Sequence, residues 1–355
     1  MTMEFTTLTR EQILDLAKPT EEYARLRKDF NFELDWDDDE EALYTLRQFV
    51  SLQESADVKD AEVDEETQHA TAEDGTKLLL RVFRSTHRSQ AQEPASPLIV
   101  LFYGGGYVLG NPVMMAKLAR SLVKRFNAVV VAPTYRLAPE YHFPTGVNDG
   151  WDAIRWIAEH ATTTLKADPV KGFVIGGISA GGNIANVSTH LARDSDLQPP
   201  ITGSWLSVPS VRLAPQLAAK LPQKYHDRLL SEGQEEEIDS PTLPPGMRKL
   251  IDRSNKRDPN SRLASPMIWP PASGIETGEY GHKGMPRTYS QVCGADTGRD
   301  GLLVYDDMLK ADGVPTRLDV YPGLPHAFWH PFKQLPEAKR WEQDTLDGFA
   351  WLLQK

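Results

Sequence analysis

The chain has 355 residues, with 39 Lys and Arg against 50 Asp and Glu, a formal net charge of −11. Acidity with scattered cations argues against nucleic acid as a partner, and no stretch approaches the roughly 18 apolar residues of a membrane span. The single cysteine, Cys293, excludes an internal disulfide and a Cys-pair zinc site. Met1 to Arg10 has neither a basic start nor an apolar core, so the chain is expected in the cytoplasm.

Residues 1–60 are acidic and read as helical, and residues 66–84 as a first antiparallel strand pair. From Pro97 onward strand and helix patterns alternate, which predicts an α/β class with a mainly parallel sheet and helices on both faces. The apolar run Pro97 to Phe102 ends in Tyr103-Gly104-Gly105-Gly106-Tyr107. Successive glycines there let backbone N–H groups face a ligand without side-chain obstruction. Gly104, Gly106 and Gly110 roughly resemble a dinucleotide loop, but the spacing is one residue too long. The next strand, Ala128 to Val131, also ends in Ala-Pro-Thr with no carboxylate for a ribose, which disfavours a dinucleotide oxidoreductase. A helix is predicted over Asn148 to Leu165, with Trp151, Ile154 and Ala158 on one face.

The strand Gly172 to Ile175 leads into Gly177-Ile178-Ser179-Ala180-Gly181-Gly182 and a helix-like stretch, Asn183 to Arg193. Serine between glycines at a strand-to-helix turn is the G-x-S-x-G nucleophile elbow. The turn leaves no room for side chains two residues before and after the serine, which lifts the hydroxyl clear of the backbone. The helix start aims free N–H groups at the space above it. Asn186-Val187-Ser188 matches a glycosylation sequon, but on this helix it should pack inward.

After the strand Ile201 to Val208 comes a span rich in charge and Pro (residues 212–262), with a helical piece at Ala214 to Leu230. It is too long for an ordinary connection and reads as either an insertion or a disordered segment. Thr288 to Val292 reads as a strand followed by a loop carrying Asp296. Thr316 to Tyr321 is the next strand, followed by a Gly/Pro loop carrying His326. Both polar residues fall just past strand C-termini, the edge where open α/β sheets carry their sites, and Ser179, Asp296, His326 is the α/β-hydrolase order. Asp300 is expected to cap the helix Gly301 to Leu309. His326 and His330 stand at i, i+4, but Pro325 and Pro331 argue against a helical metal pair. A last helix, Glu337 to Leu353, presents Trp341, Phe349, Leu352 and Leu353.

From about Lys77 to the C-terminus the chain resembles the hormone-sensitive-lipase family of α/β hydrolases, which includes carboxylesterases and lipases. The resemblance rests on Tyr103 to Tyr107, Tyr135-Arg136-Leu137-Ala138-Pro139-Glu140 with Phe143-Pro144 and Asp149, and Gly177 to Asn183. It continues with Asp296, Arg299-Asp300 and His326-Ala327-Phe328. It implies an α/β-hydrolase fold with Ser179 as nucleophile, His326 as base and Asp296 as its orienter. It further implies an oxyanion hole from the N–H groups of Gly104, Gly105 and Ala180, and a structural turn at Tyr135 to Glu140. In the family an insertion at this place pairs with N-terminal helices as a cap. The expected organisation is therefore residues 1–60 and 209–263 as cap, with 61–208 and 264–355 as catalytic domain. Two departures stand out: Tyr103 replaces the family's usual His, and Ile178 replaces its Asp, Glu or Thr.

The expected activity is hydrolysis of short- to medium-chain or acetyl carboxylic esters, a bulky metabolite ester included, through an acyl-enzyme. This chemistry requires no metal or organic cofactor, and its partner is a small-molecule ester. Tyr103, Tyr107, Ile178, Trp205, Phe328 and Trp329 are candidate pocket walls, with core packing as the competing explanation. The two departures motivate an alternative, a non-hydrolytic role in acyl transfer, elimination, cyclisation or ligand reception. The intact Ser179, Asp296 and His326 count against a pure receptor. The oligomeric state is left open, a homodimer included.

Overall fold

The computed structural model describes residues 5–30, 34–36, 39–87, 96–209, 211, 213–272 and 280–354. Three helices open it, α1 (Arg10–Asp15), α2 (Glu21–Lys28) and α3 (Asp39–Ser55). Thr9 begins α1 with a reciprocal cap. Its hydroxyl accepts from Gln12 N at 3.2 Å, and its own N–H donates to Gln12 Oε1 at 2.8 Å. The antiparallel pair expected over 66–84 is β1 (Val63–Thr71) and β2 (Lys77–Ser85).

The alternation then runs β3 (Leu98–Phe102), α4 (Ala116–Phe126), β4 (Val129–Pro133), α5 (Thr145–His160), β5 (Phe173–Ile178) and α6 (Ala180–Asp194). It continues with β6 (Gly203–Ser207), the short α7 (Pro215–Ala218), α8 (Pro245–Asn255) and β7 (Arg287–Ala295). Last come α9 (Arg299–Ala311), β8 (Thr316–Pro325) and α10 (Pro336–Leu352). The eight strands form one sheet in the order β1-β2-β4-β3-β5-β6-β7-β8. The pairs β1–β2 and β2–β4 are antiparallel; every later pair is parallel. The fold is the α/β-hydrolase fold.

Strands β3, β4 and β5 are buried along their whole length, as the centre of a sheet covered on both faces requires. Chain order reverses at β3, which lies between β4 and β5. Right-handed crossovers therefore send α4 to one face and α5 and α6 to the other. The loops after β3 and β5 diverge at this switch point and leave a crevice at the strand C-termini. The sequon residues Asn186 and Ser188 are buried on α6.

Between β6 and β7 no strand forms among the described residues. The helix expected over Ala214 to Leu230 is broken: α7 ends at Ala218, and only a 3-10 turn, Gln223–Arg228, follows. Pro222 supplies the reason, since it lacks an N–H and pushes Leu221 away from helical backbone angles. This segment is tied to the N-terminal helices. Arg27 pairs with Asp239 at 2.8 Å, the Tyr23 hydroxyl donates to Asp239 O at 2.9 Å, and Arg228 donates to the carbonyls of Phe5 and Leu8. Among the described residues no helix is long and apolar enough to cross a membrane.

One buried cluster makes the fold sensitive to acid. His190 on α6 meets His282, their ring nitrogens 3.1 Å apart, and stacks on Trp269 with ring centroids 4.7 Å apart. Burial drives the His190 imidazole well below its usual range, the His282 charge adding to it. Burial likewise takes His282 down to about 4, against an opposing pull from Asp312. Below the ordinary value of 6.5 the unfolded chain takes up protons that the folded chain refuses. Stability contributed by the neutral rings is thus present above 6.5 and lost as pH falls from there towards 4. The melting temperature should drop between pH 7 and pH 5, and His282→Gln should flatten that slope. An unchanged slope in the variant would place the acid-sensitive groups elsewhere.

Candidate active site

The turn after β5 is closed by backbone crowding. A Cβ on Gly177 would stand 2.4 Å from the carbonyl of Gly181, and one on Gly181 2.2 Å from Phe102 O and 2.4 Å from Tyr103 O. No side chain fits at either position, so the spacing read from the sequence is a steric necessity. Ser179 sits between them at φ 55° and ψ −118°, a strained conformation of the kind held at functional sites. α6 starts at once with Ala180, three residues earlier than the helical pattern suggests.

Two loops from the far side of the sheet reach this serine. His326 follows β8, and its Nε2 lies 3.0 Å from Ser179 Oγ. Asp296 follows β7, and its Oδ2 lies 2.6 Å from His326 Nδ1. The other carboxylate oxygen, Oδ1, accepts from Gly298 N at 3.0 Å. Burial pushes the Asp296 carboxyl up. The charge and hydrogen bond of His326, the Gly298 N–H and the Arg248 guanidinium outweigh it and hold the group below its usual value. It is therefore a carboxylate at neutral pH. The structure thus brings Ser179, His326 and Asp296 into one hydrogen-bonded chain. His330 is exposed one turn further on and takes no part.

The glycine loop after β3 lies against the serine. A Cβ on Gly104 would stand 3.0 Å from Ile178 O and 3.3 Å from Ser179 Cβ. The N–H groups of Gly104, Gly105 and Ala180 donate to no acceptor among the described residues. Such groups can hold a negative oxygen.

Several side chains hold this loop. Tyr103 stacks on Tyr135 with ring centroids 4.4 Å apart and an interplanar angle of 14°. The Tyr135 hydroxyl donates to Tyr103 O at 3.0 Å, and the Tyr103 hydroxyl to Tyr135 O at 3.4 Å. Burial pushes both phenols up, so they stay protonated and donate. The departure at position 103 is accommodated by this reciprocal pair. Tyr107 donates to Asn183 Oδ1 at 2.6 Å, and Arg47 of α3 donates from Nε to Val108 O at 3.0 Å. The Tyr135 to Glu140 turn is structural. Arg136 is bidentate on the fully buried Asp149, and Glu140 pairs with Arg47 at 2.7 Å. Sequence reasoning missed Arg47 as a loop support, because its helix carries no motif. Asn183 was visible only as the end of the elbow motif.

The candidate walls divide. Tyr107 lies on the glycine loop and Ile178 ends β5 beside Ser179, while Tyr103 opens the glycine loop directly after β3. Trp205 is fully buried in the core beside Phe349 and Trp341, its indole N–H donating to Gln291 at 3.0 Å. Trp329 stacks on Trp341 at 4.0 Å, and Phe328 is buried against Tyr321. All three pack as core: Trp205 and Trp329 against Trp341 of α10, and Phe328 between Tyr321 and Trp329. Asp300 does not act as the expected helix cap either: α9 begins after Gly298, and the Asp300 carboxylate accepts from Leu230 N and Ser231 N, both at 2.7 Å.

A family model described as alpha/beta hydrolase fold matches residues 99–330. The chain is 34% identical over 282 residues to an AB hydrolase superfamily protein of Schizosaccharomyces pombe, covering 79% of this chain and 77% of that one. It is 30% identical over 260 residues to versiconal hemiacetal acetate esterase of Dothistroma septosporum, covering 72% and 74%. Among solved structures it is similar to a vibralactone cyclase, with TM-score 0.78, 28% identity and 96% of each chain covered.

Proposed function

The chain belongs to the hormone-sensitive-lipase-like family of α/β hydrolases, and on that premise we propose a serine carboxylester hydrolase that works through an acyl-enzyme. Hydrolysis of carboxylic esters is the activity of this family and of this chain. The observation that carries the mechanism is the chain of hydrogen bonds from Asp296 through His326 to Ser179, at 2.6 and 3.0 Å.

Ser179 Oγ attacks the ester carbonyl carbon while His326 Nε2 takes its proton. Asp296 fixes the imidazole tautomer and stabilises the imidazolium. The tetrahedral oxyanion accepts from the N–H groups of Gly104, Gly105 and Ala180. Its collapse breaks the bond to the alcohol oxygen, which leaves with the proton from His326. Water then attacks the acyl-serine, gives its proton to the same imidazole, and the acid departs with Ser179 restored. No step calls on a metal or an organic cofactor. Residues 1–60 and 209–263 serve as a cap that excludes water and grips the substrate, with Tyr107 and Ile178 near the reacting carbon. The substrate class is a short- to medium-chain or acetyl ester, and the likeness to an acetate esterase supports the acetyl end of that range.

A fluorophosphonate should label Ser179 stoichiometrically, and hydrolysis of p-nitrophenyl butyrate should fall in step with labelling. Full hydrolysis by labelled protein would overturn the assignment. The likeness to a cyclase favours a second reading, in which a hydroxyl of the same substrate intercepts the acyl-enzyme and closes a ring. Turnover in ¹⁸O-water separates the two: hydrolysis puts the label into the released acid, and ring closure does not.

A further inference from the structure

The loop that carries Asp296 is held both from the start of α9 and from the segment between β6 and β7. Arg299 donates to Gly294 O at 2.9 Å, and Ser231 Oγ donates to Thr297 O at 2.8 Å. These two bonds bracket Asp296 on both sides along the chain. Ser231 Oγ also accepts from Asp300 N at 3.2 Å, while Asp300 Oδ2 takes the N–H groups of Leu230 and Ser231. Arg299 pairs with Asp300 at 2.6 Å and reaches Gln234 Oε1 at 3.0 Å, with both charged side chains 0% exposed. A buried network with every charge partnered is stiff, because each bond lost would strand a desolvated group. Further along the same segment, Thr242 donates to His326 O. Arg248, fixed by Glu235 and Leu243 O, faces Asp296.

We propose that residues 230–248 form a clamp that sets Asp296 and His326 in register with each other, with Ser231 and Asp300 as positioning residues. The proposal rests on the serine-hydrolase reading above. It gives the segment between β6 and β7 a task apart from covering substrate. The groups that face the Asp296 carboxylate are His326, the Gly298 N–H, Arg248 and the Cys293 thiol, and only Arg248 among them comes from the clamp.

Ser231→Ala removes the donor to Thr297 O, and Ser231→Thr keeps it. On p-nitrophenyl butyrate, Ser231→Ala should lower kcat about tenfold or more with KM within about twofold, because a small misplacement of the relay acts on the transition state. Ser231→Thr should recover most of the loss. In parallel, the low-field proton resonance of His326 Nδ1, assigned by its disappearance in His326→Ala, should move upfield in Ser231→Ala and return in Ser231→Thr. A lowered melting temperature with kcat and the resonance unchanged would make Ser231 a packing residue and overturn the clamp. If Ser231→Ala does not fold, Asp300→Asn is read the same way. Wild-type protein no more active than Ser179→Ala would defeat the hydrolase reading instead, and the resonance alone would then decide the clamp.

Discussion

Replacing Ser179 by Ala is expected to lower kcat on p-nitrophenyl butyrate by about 10⁶-fold, with KM near the wild-type value. The substitution deletes only Oγ, the atom that attacks, together with its hydrogen bond to His326. Alanine keeps a Cβ, so the backbone at φ 55° and ψ −118° is as strained as before, and the melting temperature should barely move. The residual rate, roughly 10³–10⁴ above the uncatalysed reaction, would come from the glycine-loop amides and substrate positioning. Kinetics normalised to correctly folded protein give the answer. Hydrolysis at the wild-type rate would mean that the attacking group lies elsewhere.

His326→Ala should cost a comparable factor, about 10⁶ in kcat, because among the described residues no other base touches Ser179 Oγ. This variant carries a second signature. Asp296 is held as a carboxylate against the penalty of burial chiefly by the imidazole beside it. With the imidazole gone, burial weighs more heavily and the folded-state value rises. A carboxyl whose folded value has risen is a liability at neutral pH and less of one once protonated. The melting-temperature deficit of His326→Ala against wild type should therefore be larger at pH 7 than near pH 4. His330→Ala, at an exposed position without a bond to the serine, should leave kcat within about twofold. Interchanged effects of the two substitutions would make His330 the base.

The elbow was legible because its requirement is local. Gly177 and Gly181 crowd each other and the adjoining end of β3, so a short motif contains the whole constraint. Asp296 and His326 were legible for a different reason: each follows a strand, and strand C-termini share one edge of a parallel sheet. Strand ends were less legible. β7 runs on through Gly294 to Ala295 and β8 through Pro322 to Pro325, since the pairing continues past an irregularity between Cys293 and Ala295. The stretch Ala214 to Leu230 had helical composition, yet Pro222 and its contacts broke it.

By itself the amino-acid order determined the α/β class, the nucleophile turn and the order of the three polar residues, because these depend on periodicity and on neighbours a few positions apart. Only the tertiary structure decided what Asp300 does, since its partners Leu230 and Ser231 lie 70 and 69 residues away and no local pattern links them. The same holds for Trp205, Phe328 and Trp329. Hydrophobicity says that such rings leave water, while the packing of α10 on Trp205 and Trp329, and of Tyr321 on Phe328, decides that they do so in the core. It holds too for Arg47, whose support of the glycine loop exists only because α3 folds back across the turn at Ala138 to Glu140.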